Sequence, residues 1–197
     1  MSKMIEQLQR VLSKMPLLVR FLVKCRNQAN KVIGYHICYD HLASVNGEEL
    51  LAEKIIQVGA QTIIDVGANK GDWAALFISS KEWKGRIFMI EPGLFAYNKL
   101  LSRFKDDKRA VAFNIGSADY SGYATFYEEE SGGEKSSFVQ VQTVTAKARK
   151  DVQILTLDDF ALQNDLKDID LLKIDCEGWD FNVIRGASGL LKDGKIK

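Results

Sequence analysis

Stretches of continuous hydrophobic residues alternate with stretches of helical periodicity over most of the chain. Near-continuous apolar runs of this length are typical of parallel strands that are buried on both faces, and amphipathic segments lie between them. The predicted strands are residues 62–66, 86–90, 110–114 and 171–174. The predicted helices are residues 48–58, 72–81, 94–104 and 180–191. Strands that alternate with helices predict an α/β fold with a Rossmann-like, doubly wound and mostly parallel sheet.

Weaker patterns fill the rest of this region. Thr156 precedes an apolar run and has Asp159 three residues later, which predicts a helix that begins with a side-chain cap. Shorter strands are predicted at residues 123–127, 138–144 and 152–155, and an acidic loop at 128–137. The chain ends at Lys197, where the alternation would begin another strand. We therefore expect a fragment that is truncated at its C-terminus.

A helical pattern also covers residues 1–33, with Pro16 at a kink or at the start of a second helix. Basic residues surround its apolar face, and three roles fit it: a cap that packs on the domain, a partner-binding helix, or a helix that makes weak contact with a membrane surface. We predict a helical N-terminal extension or cap over residues 1–47 and the α/β domain over residues 48–197.

The amino-acid composition limits the kinds of binding partner and of cellular compartment that we expect. The 197 residues carry a formal net charge of +1 and the basic residues are scattered, so we expect no nucleic-acid partner. Cys25, Cys38 and Cys176 include no C-x-x-C spacing, which favours a reducing compartment over a disulfide framework. No secretory signal peptide is evident. We predict a cytoplasmic protein.

The segment IIDVGANKGDW (63–73) joins the first predicted strand to a helix through a glycine-rich turn. Glycines let the backbone approach a ligand closely, and a helix start offers unpaired N–H groups. Asp65 stands just before the turn, where its carboxylate would repel a pyrophosphate and attract a sulfonium or ammonium group. The loop therefore predicts a site for S-adenosyl-L-methionine and, with it, a methyltransferase. The predicted backbone contacts to this cofactor come from Gly67, Ala68, Asn69 and Gly71.

Polar residues at other strand ends suit the same cofactor, because ligands of an open α/β sheet bind at the carboxyl ends of the strands. Asp65 would hold the charged methionine moiety, directly or through water. Glu91 ends the second strand, where a carboxylate accepts hydrogen bonds from ribose hydroxyls. The residues predicted to line the adenine are Asn114, Ile115 and Gly116.

Asp175 and Glu177 follow the fourth strand and would face the transferable methyl and the acceptor, with Asp175 also contacting the cofactor. We predict no metal in the site, although two carboxylates so placed are also compatible with a divalent cation. The cluster His36, Cys38, Asp40 and His41 matches no standard zinc spacing, and we predict a loop over the cofactor mouth there.

Two other functions fit parts of the pattern. A nicotinamide-dependent oxidoreductase also carries an acid after its second strand, but it requires G-x-G-x-x-G, and Asn69 occupies the second glycine position. A non-catalytic cofactor-binding remnant would bind the cofactor without methyl transfer.

At the level of motifs, the chain resembles the FkbM-type methyltransferase family, a class I S-adenosylmethionine-dependent group. The resemblance covers about residues 63–187, and the most diagnostic part is the K-I-D-x-E-G core. The matching segments are IIDVGANKGDWA (63–74), FMIEPGLFAYNKL (88–100), FNIGSADYSGYATFY (113–127), the pair Ser136-Ser137, TLDDF (156–160) and IDLLKIDCEGWDFNVIRGA (169–187). The chain departs from the family at Cys176, where valine is typical, at Asp180, where glutamate is common, and in lacking the distal strands.

The resemblance implies transfer of the cofactor methyl to an oxygen, commonly a hydroxyl on a sugar, on a glycan or glycolipid, or on a polyketide-type acceptor. A hydroxyl is a poor nucleophile, so a general base would assist. We predict Asp175 as that base, with Glu177 as the second candidate. The alternative is that both acids only position the cofactor or cap the helix that follows.

Overall fold

The computed structural model describes residues 12–36, 43–129, 138 and 146–197. The chain divides into two compact units, Met1–Leu50 and Leu51–Lys197. The described helices of the first unit are α1 (Pro16–His36) and α2 (Ala43–Asn46). Pro16 begins a helix, as predicted, because the N–H group that proline lacks has no intrahelical partner in the first turn. The helix runs beyond its predicted end at residue 33, and the predicted helix over residues 1–11 lies outside the described residues.

Strands alternate with helices along the rest of the chain, which confirms the predicted α/β class. The strands are β1 (Thr62–Val66), β2 (Arg86–Ile90), β3 (Ala110–Phe113), β4 (Gly116–Ser117), β5 (Gly122–Glu129), β6 (Ala146–Leu155) and β7 (Leu171–Ile174). The helices are α3 (Glu48–Gln57), α4 (Asp72–Ile78), α5 (Leu94–Phe104), α6 (Leu157–Gln163), α7 (Asp180–Arg185) and α8 (Ser188–Lys192). The main sheet has the order β3–β2–β1–β7, and each neighbouring pair is parallel.

Alternate side chains of the strands enter two separate hydrophobic cores, one on each face of the main sheet. Ile63 of β1 and Met89 of β2 pack with Phe77, Trp83 and Leu100, on the face of α4 and α5. The opposite face holds a second cluster, which includes Ile64, Val66, Phe88, Ile90, Leu157, Phe160, Val183 and Leu190. Burial on both faces explains why the strand sequences are almost continuously apolar.

A second sheet, in the order β4–β6–β5, was not predicted as a separate unit. β6 pairs antiparallel with β5 and parallel with β4. The predicted strands 123–127 and 152–155 are parts of β5 and β6. The predicted strand 138–144 is wrong at Phe138, which lies in a bend, and its other residues lie outside the described part of the chain. Residues 128 and 129 of the predicted acidic loop belong to β5, and 130–137 are not described.

The predicted helix 180–191 is two helices, α7 and α8, with a break at Gly186. A Cβ atom on Gly186 would lie 2.0 Å from the carbonyl oxygen of Ala118, so the chain passes close to another segment there. The carboxylate of Asp158 then accepts hydrogen bonds from the N–H groups of Gly189 and Leu190, at 2.8 and 2.9 Å, and begins the new helix. The cap predicted at Thr156 is confirmed, because its Oγ1 accepts from the N–H of Asp159 at 3.0 Å.

Backbone pairing continues beside the N-terminal end of β7. Ile169 forms a parallel bridge with Ile196, through hydrogen bonds to the backbone of Lys195 and Lys197 at 2.8 and 3.0 Å. Membrane-crossing helices need both length and a nearly uncharged apolar stretch, and no helix in the described part of the chain has both.

Candidate functional site

The glycine loop after β1 is held tightly between β7 and α5. Gly67 and Gly71 have φ angles of 77° and 81°, in the left-handed region that favours glycine. A Cβ atom on Gly67 would lie 1.9 Å from the carbonyl oxygen of Asp175. One on Gly71 would lie 2.5 to 2.6 Å from side-chain atoms of Phe104 and Leu100. Both glycines are therefore required by the packing of the chain against itself.

The N–H groups of this loop bond within the protein. Gly67 and Ala68 donate to the carbonyl oxygen of Ile90, at 2.9 and 3.2 Å, and Gly71 donates to Ala68 at 2.9 Å. Asn69, at φ 48°, donates to Oε2 of Glu91 at 2.8 Å. These bonds fasten the loop to the end of β2. The predicted donation of the same groups to a cofactor stays a prediction.

Asp65 is fully buried and paired with a cation that the sequence argument missed. Its exposed fraction is 0%, and Nζ of Lys173 lies 2.9 Å from Oδ1. The two residues are register partners on the neighbouring strands β1 and β7. A buried carboxylate is stable only when it is paired, and Lys173 supplies that pairing. The predicted contact of Asp65 with the methionine moiety stays a prediction.

The Lys173 ammonium is surrounded by groups that favour a positive charge. It lies 3.9 Å from Oδ2 of Asp175, 3.5 Å from the carbonyl oxygen of Gly67 and 5.8 Å from the centre of the Trp73 ring. Burial opposes the charge, yet the carboxylates of Asp65 and Asp175 outweigh it and raise the pKa of Lys173 above its ordinary value. The side chain keeps an exposed fraction of 21%, so it is not entirely enclosed by these groups.

Glu91 is a second buried carboxylate, at the end of β2. Its Oε1 accepts the N–H of Gly93 at 2.7 Å, and its other oxygen accepts that of Asn69. Burial raises the pKa of Glu91 to about 7, against the lowering effect of these two N–H groups, and the nearby charges of Asp65 and Glu128 raise it further. Each oxygen keeps a lone pair for a further donor, so the predicted ribose contact stays a prediction.

The segment after β3 lies beside this turn. Nδ2 of Asn114 donates to the carbonyl oxygens of Glu91 and Pro92, at 2.9 and 3.1 Å. Ile115 is buried in the core, and Gly116 begins β4, where a Cβ atom would lie 2.4 Å from the Phe138 ring. The next residue, Ser117, is also buried, and its Oγ has no hydrogen-bond partner among the described residues.

Asp175 and Glu177 lie in the turn between β7 and α7, and both are exposed. The backbone N–H of Asp175 donates to Val66 at 3.0 Å, which holds this residue next to the end of β1. Glu177 has a φ of 47°, a left-handed angle that is uncommon for a residue other than glycine. Asp180 accepts from the N–H groups of Cys176 and Gly178, at 2.9 and 3.2 Å, and shapes the turn.

Aromatic rings lie against the same turn. The Trp179 ring centre lies 5.7 Å from that of Phe138, which in turn lies 4.8 Å from that of Phe126. Nε1 of Trp179 is buried without a hydrogen-bond partner among the residues that the structure describes. Burial raises the pKa of the neighbouring Cys176 thiol to about 12, which leaves it in the unreactive thiol form.

The structure therefore brings most of the predicted residues to one edge of the sheet. Asp65, Gly67 and Asp175 meet at the ends of β1 and β7, and Glu91 joins Asn69 and Asn114 at the end of β2. Sequence reasoning missed two charged neighbours, Lys173 and Glu128. A signal for Lys173 was present: a lysine inside a buried apolar strand needs a carboxylate partner, and it shares a strand face with Asp175. Glu128 gave no such signal, because its Oε1 caps α5 across the fold, at 2.8 Å from the N–H of Phe95.

Within the described ranges, no group of three or more histidine, cysteine, aspartate and glutamate side chains is close enough together to hold a metal ion. Of the residues in the predicted loop over the cofactor mouth, His36 is the last residue of α1, and Cys38, Asp40 and His41 lie outside the described residues.

Comparison with known proteins identifies the family. A sequence model of the methyltransferase FkbM domain matches residues 65–197. The chain belongs to the FkbM methyltransferase family. The matched span contains all the predicted site residues, from Asp65 to Glu177, and α1 lies outside it.

Individual relatives of this FkbM chain are distant. The curated 2-O-methyltransferase NoeI of Sinorhizobium fredii (strain NBRC 101917 / NGR234) is 25% identical over 142 residues, which cover 66% of this chain and 58% of that protein. A crystal structure of a methyltransferase FkbM from Methylobacillus flagellatus KT has 20% identity and a TM-score of 0.47, over 70% of this chain and 32% of that one. The methyltransferase domain of bacterial CtHen1-C has 20% identity and a TM-score of 0.30, over 34% of this chain and 37% of that one. The chain thus spans less than two thirds of the length of these relatives.

Proposed function

We propose that this FkbM chain is an S-adenosyl-L-methionine-dependent O-methyltransferase. The observation that carries the proposal is the cluster of carboxylates at one sheet edge, where Asp65 lies near the end of β1 and Glu91 and Asp175 directly follow the neighbouring parallel strands β2 and β7. Lys173 balances Asp65, so the net negative charge of the edge comes from Asp175 and, above a pH of about 7, from the ionised Glu91. Such an edge attracts a ligand with a sulfonium and an ammonium group and disfavours a pyrophosphate.

The chemistry of the donors fits that cofactor. The exposed part of Lys173 suits the methionine carboxylate, and the acids around it suit the ammonium and sulfonium groups. The remaining lone pairs of Glu91 suit ribose hydroxyls. The buried Oγ of Ser117, which has no partner among the described residues, suits a polar edge of the adenine beside Asn114. S-adenosylmethionine, when bound, supplies a methyl group attached to a positively charged sulfur.

Asp175 is exposed at the edge and is our candidate for the general base. Its carboxylate would accept the proton of the acceptor hydroxyl while the oxygen forms its bond to the methyl carbon and the carbon–sulfur bond breaks. Lys173, 3.9 Å away, would hold the Asp175 side chain at the edge of the site. Base assistance of this kind contributes roughly 10²- to 10⁴-fold in rate.

The acceptor class is inferred from the family. We propose a hydroxyl on a sugar, on a glycan or glycolipid, or on a polyketide-type molecule. The name of NoeI, a 2-O-methyltransferase, supports oxygen as the methylated atom.

Calorimetry with S-adenosylhomocysteine on the full-length protein tests the proposal. We expect saturable binding with one ligand per chain, and no binding at millimolar ligand would contradict it. Fluorescence enhancement of added NADH would instead favour the oxidoreductase hypothesis. Cofactor binding without methyl transfer to any alcohol in an acceptor panel would favour a non-catalytic remnant.

Two variants separate the roles of the exposed acids. Asp175→Asn should bind S-adenosylhomocysteine as the wild type does and lose methyl transfer by at least roughly 10²-fold. Glu177→Gln is the matched control, and it should keep most of the activity. If Glu177→Gln alone abolished turnover, the base would be Glu177. If Asp175→Asn lost cofactor binding in proportion to turnover, Asp175 would be a cofactor-binding residue.

A further inference from the structure

We propose that α1 binds the surface of an anionic lipid bilayer. This helix lies outside the span that matches the FkbM domain, and it holds none of the residues at the sheet edge described for methyl transfer. The proposal rests on the positions of the apolar and charged residues of α1. It concerns binding to a membrane and not methyl transfer, so it goes beyond the proposed function.

The apolar residues of α1 form one broad face. At about 100° per residue, its main apolar positions fall within an arc of roughly 160°, and the exposed Val19 and Val23 lie beyond one end of it. Most of these side chains are exposed in the structure, and two of the largest are Leu17, at 80%, and Phe21, at 61%. The exposed apolar members of the face are Leu17, Phe21, Leu22, Val32 and Ile33. A contiguous apolar patch of this kind marks a surface for a partner or a membrane.

Basic residues border this face on both sides. Arg20 and Lys24 stand on one flank and Arg26 on the other, and all three are exposed. The helix Pro16–His36 contains no acidic residue at all. Residues 1–36 hold seven lysines and arginines and one acid, whereas the remaining 161 residues hold 20 basic and 25 acidic residues. The positive charge of the chain is therefore concentrated where the apolar face is exposed.

An anionic bilayer fits this pattern better than other occupants. A helix that lies in the interface buries its apolar face at the acyl boundary, and its flanking lysines and arginines meet the lipid phosphates. A second copy of α1 would bring like charges together along both flanks, which is unfavourable. A nucleic acid would satisfy the charges and leave the apolar face without a partner.

Sedimentation of the full-length protein with lipid vesicles tests the proposal. We expect binding to vesicles of phosphatidylcholine and phosphatidylglycerol in equal parts at least tenfold tighter than to phosphatidylcholine alone, and weaker binding at high salt. Each basic residue near the surface contributes roughly fivefold, so Arg20→Glu with Lys24→Glu should reduce binding more than tenfold. Lys81→Glu with Lys108→Glu makes the same charge change on exposed residues elsewhere and should have a much smaller effect.

Apolar substitutions test the other half of the pattern. Leu17→Gln with Phe21→Gln should reduce vesicle binding at least tenfold. Val58→Gln with Leu162→Gln, at positions that are 83% and 81% exposed, is the matched control and should bind as the wild type does. Asn27→Lys adds a positive charge on the Arg20 flank and should tighten vesicle binding roughly fivefold. This variant still tests the proposal if circular dichroism shows that the apolar variant does not fold.

Other results would overturn the inference. These are equal binding to both kinds of vesicle, equal losses in the α1 variants and their controls, or lipid-independent self-association that the α1 variants abolish. Vesicle binding is measured without cofactor, so its outcome is independent of the calorimetry with S-adenosylhomocysteine. A chain held at a bilayer would meet lipid-linked acceptors at high local concentration, and that consequence alone rests on the proposed function.

Discussion

Glu91 is expected to make the folded protein less stable as the pH rises from about 4.5 to about 7. Its pKa is raised from the ordinary value of 4.5 to about 7 by burial at the end of β2. Between these two values the folded state holds a proton that the unfolded state has released, so the free energy of unfolding falls as pH rises. Over this interval the free energy of unfolding falls by roughly 1.4 kcal/mol per pH unit, which gives a total loss of about 3 kcal/mol.

The variant Glu91→Gln isolates this effect. Glutamine has nearly the same shape and does not titrate, so its stability should lack the fall between pH 4.5 and 7. Other carboxylates act in the opposite sense at lower pH, since the Arg109 side chain lowers the pKa of Asp107 and the N–H of Gln61 lowers that of Asp170. Because the variant retains these groups, subtracting its stability from that of the wild type removes their contributions.

The assay is urea unfolding of both proteins at a series of pH values from 4 to 8.5. The wild-type free energy of unfolding, minus that of Glu91→Gln, should fall by about 3 kcal/mol across the interval and then stay level. A difference that is constant with pH would show that Glu91 has the same pKa in the folded and the unfolded protein. A difference that rises with pH would show that the N–H groups of Asn69 and Gly93 outweigh burial and stabilise the charged form.

Two other perturbations test the packing of the site. Lys173→Met removes the cation that pairs with the buried carboxylate of Asp65 and should cost about 3–5 kcal/mol in urea unfolding. Adding Asp65→Asn should recover most of that loss, and equal stability of the single and double variants would contradict the pairing. Gly67→Ala combines a left-handed φ with a Cβ atom 1.9 Å from a carbonyl oxygen and should cost roughly 3 kcal/mol or more. Gly59 has a similar φ, 83°, but open space around a Cβ atom, so Gly59→Ala is the control and should cost only about 1 kcal/mol. Equal losses of stability in the two alanine variants would contradict the close approach of Gly67 to the Asp175 carbonyl oxygen.

The sequence predicted the main sheet well because its strands carry their own signal. β1 and β2 are almost entirely buried and β7 is half-buried, so their sequences are mostly apolar, and the acids Asp65, Glu91 and Asp175 stand at or next to their ends. The acids at these ends were expected to meet because the carboxyl ends of parallel strands share one edge. Local pattern was enough wherever burial was symmetrical.

Long-range contacts explain what the sequence did not predict. The break between α7 and α8 depends on Ala118 and Asp158, which lie far away in the chain. The N-terminal part of β6 reads as a charged segment, AKARK, and it becomes a strand by pairing with β5. The pairing of the Glu91 carboxylate with the loop N–H groups likewise needs the folded turn, which residue types alone do not specify.

The two buried acids of the edge, Asp65 and Glu91, are stabilised by different means, and this difference decides which of them a cationic ligand would pair with. Asp65 has its own cation, Lys173, so its charge is balanced before any ligand arrives. Among the described residues, the hydrogen-bond donors to Glu91 are the backbone N–H groups of Asn69 and Gly93, and no lysine or arginine forms an ion pair with its carboxylate. A cationic ligand at this edge would therefore gain more binding free energy from the ionised Glu91 than from Asp65. Asp65 already has Lys173 as its counter-charge, whereas Glu91 would receive its counter-charge from the ligand.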